Sequence, residues 1–112
     1  MGISTHIFDT ALGRPAAGVP IALARMANNE WSAINDTTTD QDGRCKYLLP
    51  ATYMLQPGIY RVRFETATYY KQHQLDGLYP YIEIVFVVTD CEQHYHIPLL
   101  LTANGYTTYR GS

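Results

Sequence analysis

No stretch of this sequence is apolar for long enough to cross a bilayer, which takes about 20 consecutive residues. The opening Met1-Gly2-Ile3-Ser4-Thr5-His6 has no basic region ahead of an apolar run, so no secretory signal is expected and a cytoplasmic location is. No block of like charge marks an interaction tail. With 8 basic against 10 acidic residues, the chain lacks the basic excess that marks a nucleic-acid partner. Cysteine is scarce: Cys45 and Cys91 stand too far apart for a metal-binding spacing, and free thiols are expected. The Gly-x-Ser-x-Gly elbow, the His-Glu-x-x-His zinc motif and the phosphate-binding P-loop are all missing. There is no internal repeat, no low-complexity segment and no linker. The 112 residues therefore read as a single domain, 1–112.

What is present is a succession of short β-type runs separated by turn signals. Residues 3–8, 20–26, 31–37, 44–48, 58–65, 81–88, 94–101 and 106–110 are expected strands. Alternation is clearest where Tyr60, Val62 and Phe64 share one face, with Arg61 and Arg63 on the other. Gly13-Arg14-Pro15, Asn28-Asn29, Asp40-Gln41-Asp42-Gly43 and Ala103-Asn104-Gly105 punctuate the pattern. Residues 68–75, poor in β-branched side chains and free of Gly and Pro, are the one expected helix. About eight short strands at regular spacing indicate an all-β, two-sheet antiparallel sandwich. Residues 81–88 and 106–110 are expected edge strands. The run Ile82-Glu83-Ile84-Val85-Phe86-Val87-Val88 is apolar on both faces and would aggregate if left open. Pairing with a second copy across a two-fold axis is the expected cover.

A few residues could carry chemistry. His6 shares a strand face with Ser4 and Phe8, although without further context a solvent-facing histidine on an edge strand is the commoner explanation of that pattern. His94 and His96 share a face with Pro98 and Leu100, while Tyr95, Ile97, Leu99 and Leu101 form the better core face. A His-x-His pair can bind metal, but no further ligand at a suitable spacing accompanies it. Arg44 opens a strand after a tight turn, either as a soluble surface residue or as a fixed cation for a carbonyl-rich or anionic substrate. The closing Tyr109-Arg110-Gly111-Ser112, with its terminal carboxylate, is either a frayed end or a placed group.

The same residues carry a family resemblance. Ser4-Thr5-His6-Ile7-Phe8-Asp9, followed by Gly13-Arg14-Pro15-Ala16 and Val19, resembles the amino-terminal signature of the 5-hydroxyisourate hydrolases. Asp42-Gly43-Arg44 is similar to that family's turn and arginine. His94-Tyr95-His96-Ile97-Pro98-Leu99-Leu100-Leu101 resembles its penultimate strand, and Tyr106-Thr107-Thr108-Tyr109-Arg110-Gly111-Ser112 its carboxy-terminal signature. The resemblance spans essentially the whole chain. Thr102-Ala103-Asn104-Gly105 replaces a more usual Ser-Pro-aromatic loop.

The resemblance implies a transthyretin-like sandwich of two four-stranded sheets and a short helix. It also implies a homotetramer, a dimer of dimers, with active sites at the dimer–dimer interface. The implied reaction, a step of urate degradation, is hydrolysis of the cyclic amide of 5-hydroxyisourate to 2-oxo-4-hydroxy-4-carboxy-5-ureidoimidazoline. The implied catalytic set is His6, Arg44, His96 and Ser112, with Tyr109, Arg110 and Gly111 binding substrate, and with no cofactor or metal. His94 lies outside that set. Either His6 or His96 would take a proton from water, Arg44 would stabilise charge on the carbonyl oxygen, and Ser112 would place the water. The alternative is a transthyretin-like carrier of a small hydrophobic ligand, which needs no such polar set.

Overall fold

The computed structural model describes residues 2–112. In chain order the elements are β1 (Gly2–Asp9), β2 (Arg14–Pro15), β3 (Pro20–Ala27), β4 (Glu30–Thr38), β5 (Arg44–Cys45), β6 (Gly58–Phe64), α1 (Thr66–Gln72), β7 (Ile82–Val88), β8 (His94–Leu101) and β9 (Tyr106–Thr108). They form two sheets. One has the order β2-β1-β8-β9 with β5 also paired to β1, and the other has the order β4-β3-β6-β7. The expected two-sheet sandwich with one short helix is the fold observed.

Alternation explains both layers. Ile3 and Ile7 on β1 and Leu99 and Leu101 on β8 point inward, where they meet Leu23 on β3, Tyr60, Val62 and Phe64 on β6, and Ile82 on β7. All of these side chains are buried. The Tyr60 hydroxyl, carried into this core, donates to the Gln56 carbonyl at 2.7 Å, so burial leaves it satisfied. At the β3–β4 hairpin, Asn28 and Asn29 both adopt positive φ, 53° and 63°. That is the geometry a tight hairpin turn demands and asparagine tolerates. Cys45 and Cys91 are free thiols.

Several expectations need adjustment. The sandwich is not antiparallel throughout: β1 and β8 run parallel, in register from Gly2 opposite His94 to Asp9 opposite Leu101. Their connection covers most of the chain, which is what a parallel neighbour requires and a hairpin cannot give. β1 is consequently an interior strand, flanked by β8 on one side and by β2 and β5 on the other, so His6 is not on an edge. The helix begins earlier than residues 68–75, at Thr66, whose hydroxyl donates to the Tyr79 carbonyl. It stops at Gln72 because Gln74 turns to φ 54° and the Leu75 amide closes back on the Tyr70 carbonyl at 2.9 Å. The strand expected over 44–48 keeps its ladder only at Arg44 and Cys45. β7 and β9 each form one edge of their respective sheets within the chain. Among the described residues, no helix is long and apolar enough to cross a membrane.

Candidate active site

The outer face of the β1–β8 pair collects the polar residues. Ser4 lies opposite His96, and His6 opposite Pro98. With a period of two, Ser4 and His6 from β1 therefore share that face with His94, His96 and Pro98 from β8. The β1–β5 ladder places Arg44 opposite His6.

Arg44 is delivered by the turn at residues 40–43. The Asp40 carboxylate accepts from the Asp42 and Arg44 amides, both at 2.9 Å. The Gly43 amide donates to the Asp40 carbonyl at 3.0 Å. Gly43 has φ 71°, and a Cβ there would strike the Ile7 carbonyl. The Ile7 amide in turn donates to the Gly43 carbonyl at 2.7 Å. Left-handed backbone pressed against a neighbouring strand is a place for glycine only, and the Asp42-Gly43-Arg44 sequence meets it.

Ser4 joins two of the histidines. Its Oγ lies 2.7 Å from His94 Nε2 and 2.7 Å from His96 Nδ1. The Ser4 side chain is almost buried, whereas His94 is exposed. The Ser4 contact engages Nδ1 of His96 and not its Nε2.

The carboxy-terminal segment is laid over His96. The Gly111 amide donates to the His96 carbonyl at 2.9 Å, an isolated bridge beyond the end of β9. A Cβ at Gly111 would come within 2.5 Å of His96 Cδ2 and 3.1 Å of Pro98 Cγ. Space, rather than an unusual φ, is what calls for glycine here. Ser112 then enters a cleft of about 340 Å³ lined also by Ser4, Arg44, Lys46, His94 and His96. Its ionisable side chains are Arg44, Lys46, Tyr47, His94 and His96.

Burial first, and the Arg44 guanidinium second, lower the pKa of His6 below its ordinary 6.5. His96 is lowered by burial, then by Arg44, His6 and His94. Burial also lowers His94. Neutral imidazole is thus the resting form of all three near pH 7, the state in which a ring can accept a proton. Among the described residues, no group of three or more His, Cys, Asp or Glu side chains is arranged to hold a metal ion.

The structure brings His6, Arg44, His96, Gly111 and Ser112 to one face. It does not bring Tyr109 and Arg110 there. Alternation along residues 106–110 groups Tyr109 with Thr107 and Gly111, but the chain leaves the ladder after Thr108, and strict alternation ends with it. Tyr109 and Arg110 line a second depression of about 190 Å³ at the open edge of the sandwich, with Ile84, Phe86, Tyr95 and Ile97. There the Arg110 guanidinium sits 4.4 Å from the Tyr95 ring centroid and donates to Gln93 Oε1 at 2.8 Å. Sequence reasoning gave no role to Ser4 and left His94 aside. The available signal was their shared faces with His6 and His96; the parallel register that puts Ser4 between two rings is not written in either strand alone.

The fold and this face have relatives. A family model described as the HIUase/Transthyretin family matches residues 3–111. The chain is similar to the 5-hydroxyisourate hydrolase of Salmonella typhimurium, 44% identical over 110 residues, covering 98% of this chain and 80% of the relative. Among solved structures it resembles Klebsiella pneumoniae 5-hydroxyisourate hydrolase, with a TM-score of 0.87, 29% identity and complete coverage of both chains. It equally resembles sea bream transthyretin in complex with thyroxine, with a TM-score of 0.91, 27% identity and coverage of 99% and 95%.

Proposed function

Because the chain belongs to the HIUase/Transthyretin family, whose fold serves an enzyme and a carrier alike, we propose that it is the enzyme: a 5-hydroxyisourate hydrolase acting in urate degradation. The observation that carries this reading is the cleft itself, where Ser4, Arg44, His94, His96 and Ser112 converge beside His6. A carrier of an apolar ligand has no use for two neutral histidines and a fixed guanidinium, and each polar group desolvated without a partner would cost affinity.

In this reading a water molecule placed by Ser112 attacks the cyclic amide carbonyl. Nε2 of His96 takes its proton, and Arg44 holds the charge that develops on the carbonyl oxygen. The imidazolium so formed passes the proton on to the departing ring nitrogen, with His6 as the second ring of the pair. Acid–base assistance of this kind is worth about 10²–10⁴-fold. Gly111 lets the tail approach His96. Tyr109 and Arg110 support substrate binding by anchoring that tail through the Tyr95 and Gln93 contacts.

The working form is a dimer of dimers. β7 and β9 present open edges for strand pairing with a second copy, and the cleft-bearing face meets another dimer. The exposed Val85, Val87 and Leu100 side chains support those two contacts.

The test is optical. Hydroxyisourate is generated from urate with urate oxidase, the protein is added, and the decay is compared with the spontaneous rate. Acceleration that disappears in both His6→Ala and His96→Ala is expected; decay at the spontaneous rate with the intact protein would overturn the assignment.

A further inference from the structure

Ser4 stands between two histidine rings with a single hydroxyl hydrogen to share. Its Oγ is 2.7 Å from His94 Nε2 and 2.7 Å from His96 Nδ1. A hydroxyl donates one hydrogen and accepts through its lone pairs, and a neutral imidazole has one N–H and one bare nitrogen. Three neutral arrangements satisfy both contacts; in one of them both rings donate to Ser4 and its hydrogen turns away unused, and in the other two that hydrogen bridges to a ring. In the first bridged arrangement, His96 Nδ1–H donates to Ser4, Ser4 donates to His94 Nε2, and His96 Nε2 is bare. In the second, His94 Nε2–H donates to Ser4, Ser4 donates to His96 Nδ1, and His96 carries Nε2–H. Both rings cannot present a bare nitrogen to Ser4 at once, and whenever the Ser4 hydrogen bridges to one ring the other must donate.

We propose that Ser4 is a positioning residue that ties His94 and His96 into one proton relay, so that His96 meets the substrate as a base in one bridged arrangement and as an acid in the other. The catalytic part rests on the hydrolase reading above; the coupling of the two rings does not.

The relay closes as a proton balance. His96 Nε2 takes a proton from water, its Nδ1–H passes to Ser4 Oγ, and the Ser4 hydrogen passes to His94 Nε2. His96 is then neutral with Nε2–H, and the positive charge rests on His94. Return of these hydrogens, as His96 Nε2–H goes to the ring nitrogen, restores the starting state.

The layout gives this shift a direction. Arg44 and Lys46 line the cleft with His96, and Arg44 and His6 both oppose charge on that ring. Neither acts on His94, which stands at the exposed end. Asp40 and Asp42 act on His6, and no carboxylate is among the causes acting on His96. Moving the charge to His94 puts it on the more exposed ring of the cleft, where burial and the amino-terminal charge, but not Arg44 or His6, are the causes opposing it.

Ser4→Ala removes the hydroxyl and leaves the β1–β8 ladder, which runs through the backbone, intact. Nitrogen-15 shifts of the histidine rings, read in the resting protein, report the tautomers without any substrate. In the intact protein His94 and His96 should report complementary tautomers; in Ser4→Ala that correlation should vanish. In the hydroxyisourate assay Ser4→Ala should lower kcat about 10²-fold, the scale of a misplaced catalytic group, with KM little changed. His94→Ala should lower kcat less, and the double variant should be no slower than Ser4→Ala, because members of one unit are not additive. Unchanged ring shifts, full kcat in Ser4→Ala, or additive losses would each overturn the relay. An intact protein that leaves hydroxyisourate at its spontaneous rate would remove the hydrolase reading alone, since the ring shifts test Ser4 independently.

Discussion

Burial and the Arg44 guanidinium both oppose a proton on His96, and the same two causes act on His6. A base of this kind keeps its activity until the pH falls below its lowered pKa. The acid limb of kcat/KM should therefore lie below the ordinary imidazole value of 6.5, and a rate profile measured in buffers of constant ionic strength checks it. Arg44→Gln removes the guanidinium that opposes a proton on both rings and should move that limb upward while lowering the rate. Stability follows the same linkage. Each ring binds its proton less readily in the folded chain than in the unfolded one. As pH falls through 6.5, the unfolded chain takes up more protons and stability declines with it. Thermal unfolding between pH 7.5 and about 5 reads that slope, and a flat profile would contradict the lowered values. Much of this face was legible beforehand. Spacing alone places His94 with His96, and His6 with Ser4, on common faces. Their partnership was not legible, because it depends on which strand lies beside which.

At the scale of elements, the segment after β9 carries the sharpest requirement. A methyl group at Gly111 would press on His96 Cδ2 and Pro98 Cγ, so Gly111→Ala should displace the ring and cut activity by about 10²-fold. Little apolar area changes, and thermal stability should hold. Deleting residues 110–112 should give a folded protein with activity lower by orders of magnitude; a folded, fully active truncation would show the tail to be incidental. Strand patterns were readable wherever one face is buried and the other is not, as along Tyr60, Val62 and Phe64. Where tertiary contacts set the boundary, local signals misled. Thr66 joins the helix by bonding Tyr79 across a loop, and residues 46–48 leave their expected strand because the β1–β5 ladder holds Arg44 and Cys45 and the chain then returns to β1 through the Leu48 amide, which donates to the Ile3 carbonyl at 3.0 Å. The direction of the tail's side chains was not legible for a related reason: alternation presumes a ladder, and Tyr109 and Arg110 lie beyond it.

For the molecule as a whole, the open edges call for partners. Val85 is 56% exposed and Val87 58% exposed on β7, a flat apolar edge of the kind that associates unless covered. Sedimentation at micromolar concentration should give a tetrameric mass, and Val87→Lys should shift it downward by placing a charge on that edge. A monomeric mass for the unaltered protein would contradict the assembly. The parallel β1–β8 pairing has a bearing on time rather than on affinity. Ser4 meets His94 across 90 positions of chain, and Thr5 bonds the Ile97 carbonyl across 92. During synthesis the first strand must wait for the penultimate one, so no ribosome-bound fragment ending before residue 94 can contain the reaction centre. Closing so large a loop late is entropically costly, and sandwiches dominated by such non-local pairings fold in roughly milliseconds to seconds. In stopped-flow refolding, the recovery of activity should therefore trail the burial of Tyr60 and Phe64 in the β3–β6–β7 layer, which is assembled from strands nearer together in sequence.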